Sequence, residues 1–364
     1  MPKKKLKTNV SSEENEVDLG VVYKPTEQDI EATRLVYDEY DYMWENVMNQ
    51  SYPEMNDRTP AQFWDDSQKR ANSYVPSRAS QGKEEWQANV FTGTTRNKIR
   101  AYVSSVSKEP PQMSITATNK KSERSMRRAE VVKHMIRHSY IAYDNPEMNI
   151  FFDGWDCAVS GTVIKYDGLI HKTGKQPIVE TFDAVTGEVK LKDDEERVLE
   201  DCPIEIEIPL NKFFVRNAYI RDVQEQPAVI RVDWITKDDF ELEYGKYSKA
   251  KFVKSRAQIR KTREQVELFF GDRWFDRMED MENKIEVIKF FSKAKNKYII
   301  VADGVPLLVA PMLWGRVKKW YPFTKAIFEP FANSNLFWGN SMPNILMPHQ
   351  HTEKALHNSM LDKT

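Results

Sequence analysis

Cysteine is nearly absent from this chain: Cys157 and Cys202 are the only two among 364 residues. With no second pair and no CxxC spacing, neither a disulfide scaffold nor a thiolate zinc site can be argued, and two ordinary reduced thiols are expected. Long apolar runs are missing too. The longest nearly apolar stretch, 304–315, holds Pro306 and Pro311 and falls short of the roughly 20 residues a membrane-crossing helix needs. No transmembrane helix and no membrane partner are therefore expected. The opening Pro2-Lys3-Lys4-Lys5-Leu6-Lys7 leads into polar residues rather than an apolar signal core, which places synthesis in a cytoplasm without export. An excess of charge of either sign is also lacking, since 54 Lys+Arg balance 55 Asp+Glu to a net charge of -1. Tight duplex binding rests on a Lys/Arg excess that displaces counterions, so any DNA contact should be loose or local.

Catalytic signatures are equally sparse. The thirteen glycines form neither GxxxxGK[ST] nor GxGxxG, which removes ATPase and dinucleotide readings. There is no GxSxG elbow, and no sequence cue links Cys157 to a base, so core packing explains that thiol. His134 and His138 have the i, i+4 spacing of a helical metal pair, but Met135 stands where a zinc protease motif needs glutamate. His349 and His351 read as a polar helix start beside an interface. Carboxylates lack nuclease spacing, and Asp153 and Asp156 read as helix-surface acids. Spacing thus names no catalytic residue, no metal ligand and no cofactor.

What is present is a folding composition, 40% hydrophobic and 12% aromatic, long enough for two or three domains. Residues 1–24 read as a mobile basic and polar arm. Residues 25–160 read as mainly helical. Thr26 and Asp29 form a capping-box pattern before a stripe of Ile30, Thr33, Tyr37, Tyr40, Trp44 and Val47, expected in the core. Prolines break 51–93 into short helices laid over a surface. A helix near Thr95 carries Ile99, Val103 and Val106 and stops at Pro110-Pro111, ahead of a short strand with Met113, Ile115 and Ala117. Lys120 to Tyr140 reads as a helix with Met126, Ala129, Val132 and Ile136 near one face and Lys120, Lys121, Arg124, Arg127 and Arg128 at its start. That cluster suits phosphate or an acidic partner; the plainer account is a solvated face paired with nearby acids. Asn145-Pro146 opens another helix with Phe151, Phe152, Trp155 and Ala158 as its buried face, ending at Ser160-Gly161.

After Gly161 the period changes from helical to strand-like, and 161–335 reads as antiparallel sheet with short helices. Strands are expected at 162–166, 178–182, 189–191, 204–208, 229–232, 285–291 and 297–301, with a hairpin turn at 183–187 and Asp303-Gly304 as the clearest turn of all. The acidic run Asp193, Asp194, Glu195, Glu196, Glu200 and Asp201 reads as an exposed loop. Thr236 and Asp239 open a short helix that Gly245 closes, and 255–281 reads as a charged helix. Beyond Gly339 a last helix runs through Ile345, Leu346, Ala355, Leu356, Met360 and Leu361, whose apolar residues still want a partner at the end of the chain. The fold class is therefore α+β, a helical N-terminal part followed by an antiparallel β-rich region and a C-terminal helix, 336–364.

Three stretches, in order, resemble the portal proteins of tailed bacteriophages, most closely those of short-tailed and crAss-like phages. The first runs from Asn97-Lys98-Ile99-Arg100 through Pro110-Pro111-Gln112-Met113-Ser114-Ile115. The second runs from Asp153-Gly154-Trp155-Asp156 through Gly161-Thr162-Val163-Ile164-Lys165-Tyr166 and on to Pro209-Leu210-Asn211-Lys212-Phe213-Phe214-Val215. The third is Phe337-Trp338-Gly339-Asn340-Ser341 followed by Gln350 and Asn358. In it, Gly339 is expected to allow a tight turn and Ser341 to cap a helix whose polar side chains meet neighbours rather than a dry core.

The resemblance implies a non-enzymatic, wing-like region with the last helix leading toward a stem. It implies a homo-oligomeric ring, a dodecamer, in the virion at the capsid vertex, with terminase, the major capsid protein, a tail or adaptor protein and passing double-stranded DNA as partners. Stem and clip segments would follow Thr364, as in a fragment of a longer portal chain. Trp314, Trp320, Phe337 and Trp338 are candidates for subunit contacts, with about half expected in the core. The competing readings are a metal-dependent phage nuclease and another head–tail adaptor or minor capsid protein.

Overall fold

The computed structural model describes residues 23–72, 93–108, 115–142, 146–182, 189–253, 284–312 and 320–361. Among these residues, seven α-helices and two antiparallel sheets make an α+β fold. The first helix, α1 (Glu27–Met48), starts where its cap demands. Thr26 Oγ1 accepts the Asp29 N–H and Asp29 accepts the Thr26 N–H, each at 3.2 Å. Its buried stripe is Ala32, Val36, Tyr37, Tyr40, Met43, Trp44 and Val47, while Ile30 lies exposed one turn before the stripe begins. Tyr23, assigned to the arm by composition, is tied down by its hydroxyl on Asp29 at 3.0 Å and its ring on Phe252.

Four further helices follow: α2 (Pro60–Ala71), α3 (Thr94–Val106), α4 (Glu123–Ala142) and α5 (Pro146–Ser160). Thr59 caps α2 with Gln62 in a second capping box and Pro60 at the first helical position. Ala71, Ile99, Val103, Ala158 and Val159 of α2, α3 and α5 form one small core. Val106 and Phe152, expected on buried faces, are exposed instead: α3 packs through Ile99 and Val103, and α5 through Ala158 and Val159 with Phe151 and Trp155 beside them. Residues 115–117 belong to no strand. Among the described side chains of α4, Met126, Val131, Val132 and Met135 are exposed. The expected hairpin turn at 183–187, the helix at 255–281, Pro110, Pro111, Met113, Asn145, Trp314 and most of the arm lie outside the described residues.

Strands β1 (Thr162–Phe182) and β2 (Val189–Ile208) pair along almost their full length. This corrects the loop expected over the acidic run, which lies in β2. In the register, His171 stands opposite Asp201, Lys172 opposite Glu200 and Lys175 opposite Glu196. Opposite charges recur at these register positions, and a strand this rich in charged residues carries no apolar alternation, so its composition imitates a loop.

The second sheet is an antiparallel meander of β3 (Phe213–Val215), β4 (Ala228–Thr236), β5 (Lys284–Ser292), β6 (Lys297–Ala302) and β7 (Val305–Pro311), each beside its chain neighbour. Helix α6 (Lys237–Tyr244) intervenes between β4 and β5, capped by Thr236 and closed at Gly245 as its sequence predicts. Asp303 and Gly304, both at positive φ (41° and 82°), make the tight turn between β6 and β7. Because side chains alternate across the pleat, Ile299 and Val301 enter the core shared with α1, while Ile300 and Ala302 join Phe240 and Tyr244 of α6 on the other face. Each fully buried aromatic in the larger core, Trp44, Phe214 and Phe290 among them, contributes about 1.5–3 kcal/mol by leaving water. The change of period at 161 is no boundary between cores: α1 and Phe63 share one with β3–β6.

Two buried carboxylates of α1 fasten it to the sheet. Asp29 accepts Lys249 Nζ at 2.5 Å, and Glu39 accepts Lys295 Nζ at 3.0 Å together with the Arg216 guanidinium. Burial alone would raise the Asp29 carboxyl, but hydrogen bonds from Lys249, Thr26 and Tyr23 outweigh it and hold the group at about 2. The chain closes with β8 (Phe323–Ile327), which joins β1 to give the order β2-β1-β8, and with α7 (Met342–Leu361).

Candidate functional site

The stretch 337–341 is where two distant segments cross. Gly161 sits at φ +82°, and a Cβ on it would lie 2.3 Å from the Gly339 carbonyl oxygen; a Cβ on Gly339 would lie 2.2 Å from that of Gly161. Gly339 N–H donates to Thr162 Oγ1 at 2.8 Å, and Phe328 N–H donates to the Gly161 carbonyl at 3.0 Å. Gly339 is therefore required for close backbone approach; among the described glycines the left-handed conformation belongs to Gly161 and Gly304, which corrects the tight-turn expectation. Trp338 is core, edge-on to Trp64 at 4.9 Å and to Phe337 at 4.7 Å. Of the aromatics considered for subunit contacts, Phe337 and Trp338 are thus buried and Trp320 is exposed. Ser341 caps α7 as expected, accepting the Asn344 N–H at 3.3 Å, and its hydroxyl shares a 2.8 Å hydrogen bond with Ser67 of α2.

Helix α7 docks on α2, α3 and α5. Gln350 is 4% exposed and Asn358 6%, whereas Leu356 is 58% exposed and Met360 66%, with Ile345 and Leu361 exposed as well. Ile345, Leu356 and Met360 recur at eleven and four residues, which puts them on one stripe of the helix. Neither amide atom of Gln350 has a hydrogen-bond partner. α7 thus buries Gln350 and Asn358 beside Pro343, with Met342 packed on the small core, and exposes Leu356 and Met360 together with the polar His349, His351 and Thr352. His349 and His351 fall inside α7, near its kink-prone Pro348, rather than at its start, and His351 Nε2 lies 3.4 Å from an Arg70 nitrogen.

The basic cluster behaves as a solvated face. Lys120 and Lys121 precede α4, whose first turn starts three residues later than expected, and Arg124, Arg127 and Arg128 follow on it; all five are exposed. Arg127 pairs with Glu123 one turn earlier, and the three arginines border a shallow 520 Å³ groove floored by Val131 and Val132.

Sequence reasoning missed one constellation. Asp153 and Asp156 of α5 are not surface acids but face the base of the ribbon, where Lys165 Nζ contacts Asp153 at 2.5 Å and Glu205 at 3.1 Å. Asp156 and Glu207 share a hydrogen bond, and burial, then the charges of Asp156 and Asp153, push Glu207 up to about 8. Burial followed by these same acids raises the Cys157 thiol to about 12, so it is no nucleophile at neutral pH. The i, i+3 spacing of the aspartates and the alternation of Glu205 with Glu207 put each pair on one face; that the faces meet was not visible in either pattern. Among the described residues, no group of three or more His, Cys, Asp and Glu side chains is arranged to hold a metal ion, and no helix is long and apolar enough to cross a membrane. No protein-family model and no curated protein matches the chain.

Proposed function

We propose that this chain is a subunit of a bacteriophage portal ring, a non-enzymatic conduit at the capsid vertex. The observation that carries the reading is α7, placed directly after Trp338-Gly339-Asn340-Ser341, which buries Gln350 and Asn358 and leaves Leu356 and Met360 to solvent. An outward apolar stripe is the surface a neighbouring copy would cover. In this reading the ring is a dodecamer of the virion that meets terminase, the major capsid protein and a tail or adaptor protein. Double-stranded DNA slides through without sequence-specific contacts, which a net charge of -1 keeps weak.

Mass photometry and negative-stain microscopy of the purified chain test it. Closed rings are expected, and Leu356→Glu with Met360→Glu should return the chain to monomers. A wild-type chain that stays monomeric at every concentration would overturn the reading. Rings that fail to bind terminase would instead point to a head–tail adaptor or minor capsid protein.

A further inference from the structure

We propose that Lys325 is a nucleophilic amine that opens into a cavity and condenses with small aldehydes. Lys325 lies in β8, opposite Ile164 of β1, and is partly buried. Its Nζ donates to the Phe337 carbonyl at 2.6 Å and to the Arg221 carbonyl, and sits 4.0 Å from the centroid of the Phe337 ring. Among the described residues its polar contacts are these two neutral oxygens; no carboxylate forms an ion pair with it. The nearest charges acting on it are Arg221, of like sign, and Asp222.

Burial without an ion-paired carboxylate favours a neutral amine, against the opposing pull of the Phe337 ring face on an ammonium. The neutral amine's two N–H bonds satisfy the two carbonyls, and the lone pair remains unengaged. Burial, then the Arg221 charge, lowers the group to about 7, with Asp222 opposing. The same side chain lines a 620 Å³ cavity with Arg221, Asp222, Gln224, Glu225, Trp320 and Asn335, a volume within the ordinary range for small-molecule sites. A desolvated lysine beside another cation is the standard way to activate an amine toward carbonyl compounds. Arg221 on the same wall is offset by Asp222 and Glu225, so the cavity sets no preference for the charge of the aldehyde.

The step balances without a co-reactant. The Nζ lone pair attacks the aldehyde carbon, an N–C bond forms and a proton passes from nitrogen to the former carbonyl oxygen. Loss of water then leaves the imine. Its protonated form keeps one N–H for the Phe337 carbonyl, while the Arg221 carbonyl, bonded at an exposed position, passes to water.

Pyridoxal 5′-phosphate is the probe, applied to the full chain at pH 7, trapped with borohydride and mapped lysine by lysine by peptide mass spectrometry. A drop in basicity from 10.5 to about 7 enlarges the neutral fraction about a thousand-fold, and the lower intrinsic nucleophilicity takes back part of that gain. Lys325 should therefore label at least about ten-fold above the median lysine. The excess should shrink at pH 10, where the other lysines also lose their protons, and Lys325→Arg should abolish that one adduct while the rest of the map is unchanged. Labelling of Lys325 at or below the median at pH 7 in the wild-type chain would overturn the proposal. The experiment is independent of oligomeric state and so of the portal reading.

Discussion

Helices α1 and α7 are nearly equal in length, 22 and 20 residues, and they meet the rest of the molecule in opposite ways. α1 turns Val36, Tyr40, Met43 and Trp44 inward onto the meander and fastens its two buried carboxylates with Lys249, Lys295 and Arg216. α7 turns Gln350 and Asn358 inward and Leu356 and Met360 outward. In α1 the apolar stripe is spent on folding the chain; in α7 Leu356 and Met360 stay exposed. The difference teaches that an apolar periodicity states how many faces a helix has, not which of them the monomer covers.

The comparison breaks most sharply with truncation. Trp44→Ala should cost about 3–5 kcal/mol in urea unfolding, as expected for a large buried aromatic, while Leu356→Ala should change stability by less than about 0.5 kcal/mol. Equal losses would mean that α7 holds the monomer together as α1 does. Next in size, Gly339→Ala should cost about 1–3 kcal/mol, because its methyl meets the backbone oxygen of Gly161 rather than a yielding side chain. A neutral effect would show that the two segments part easily and that α7 is loosely anchored.

The smallest effect is one of pH, and it has opposite signs at the two ends of the molecule. Asp29, held at about 2 in the folded chain, contributes stability that is present above its ordinary value of 3.8 and lost as pH falls through 2. Glu207, raised to about 8 from 4.5, keeps a proton that the unfolded chain releases. Its contribution is present below 4.5 and lost as pH rises through 8. Thermal melts should therefore fall by a few degrees between pH 6 and 9, and Glu207→Gln should flatten that decline without altering the acid limb. A variant with the wild-type slope would remove the α5–ribbon contact from the account.

Much of the fold could be read along the chain. Thr26 with Asp29, Thr59 with Gln62, Thr236 with Asp239 and the Asp303-Gly304 turn are local devices whose partners sit within a few residues, and the structure places three of the four where the sequence puts them; the Thr59 box came only with the coordinates. The ribbon was less legible, since its charged residues carry no apolar alternation. Ser341 was legible as a cap, whereas the role of Gly339 was misread, because close approach to Gly161 depends on a residue 178 positions away.

By itself the sequence determined where helices start, where the period changes and which turns reverse the chain, because capping, dihedral preference and side-chain periodicity act over three or four residues. Only the tertiary structure decided that α7 buries Gln350 and Asn358, that Asp153 and Asp156 meet Glu205 and Glu207, and that Lys325 loses its water without gaining a counter-ion. Those outcomes depend on desolvation, and how dry a group becomes is set by neighbours far away in the chain.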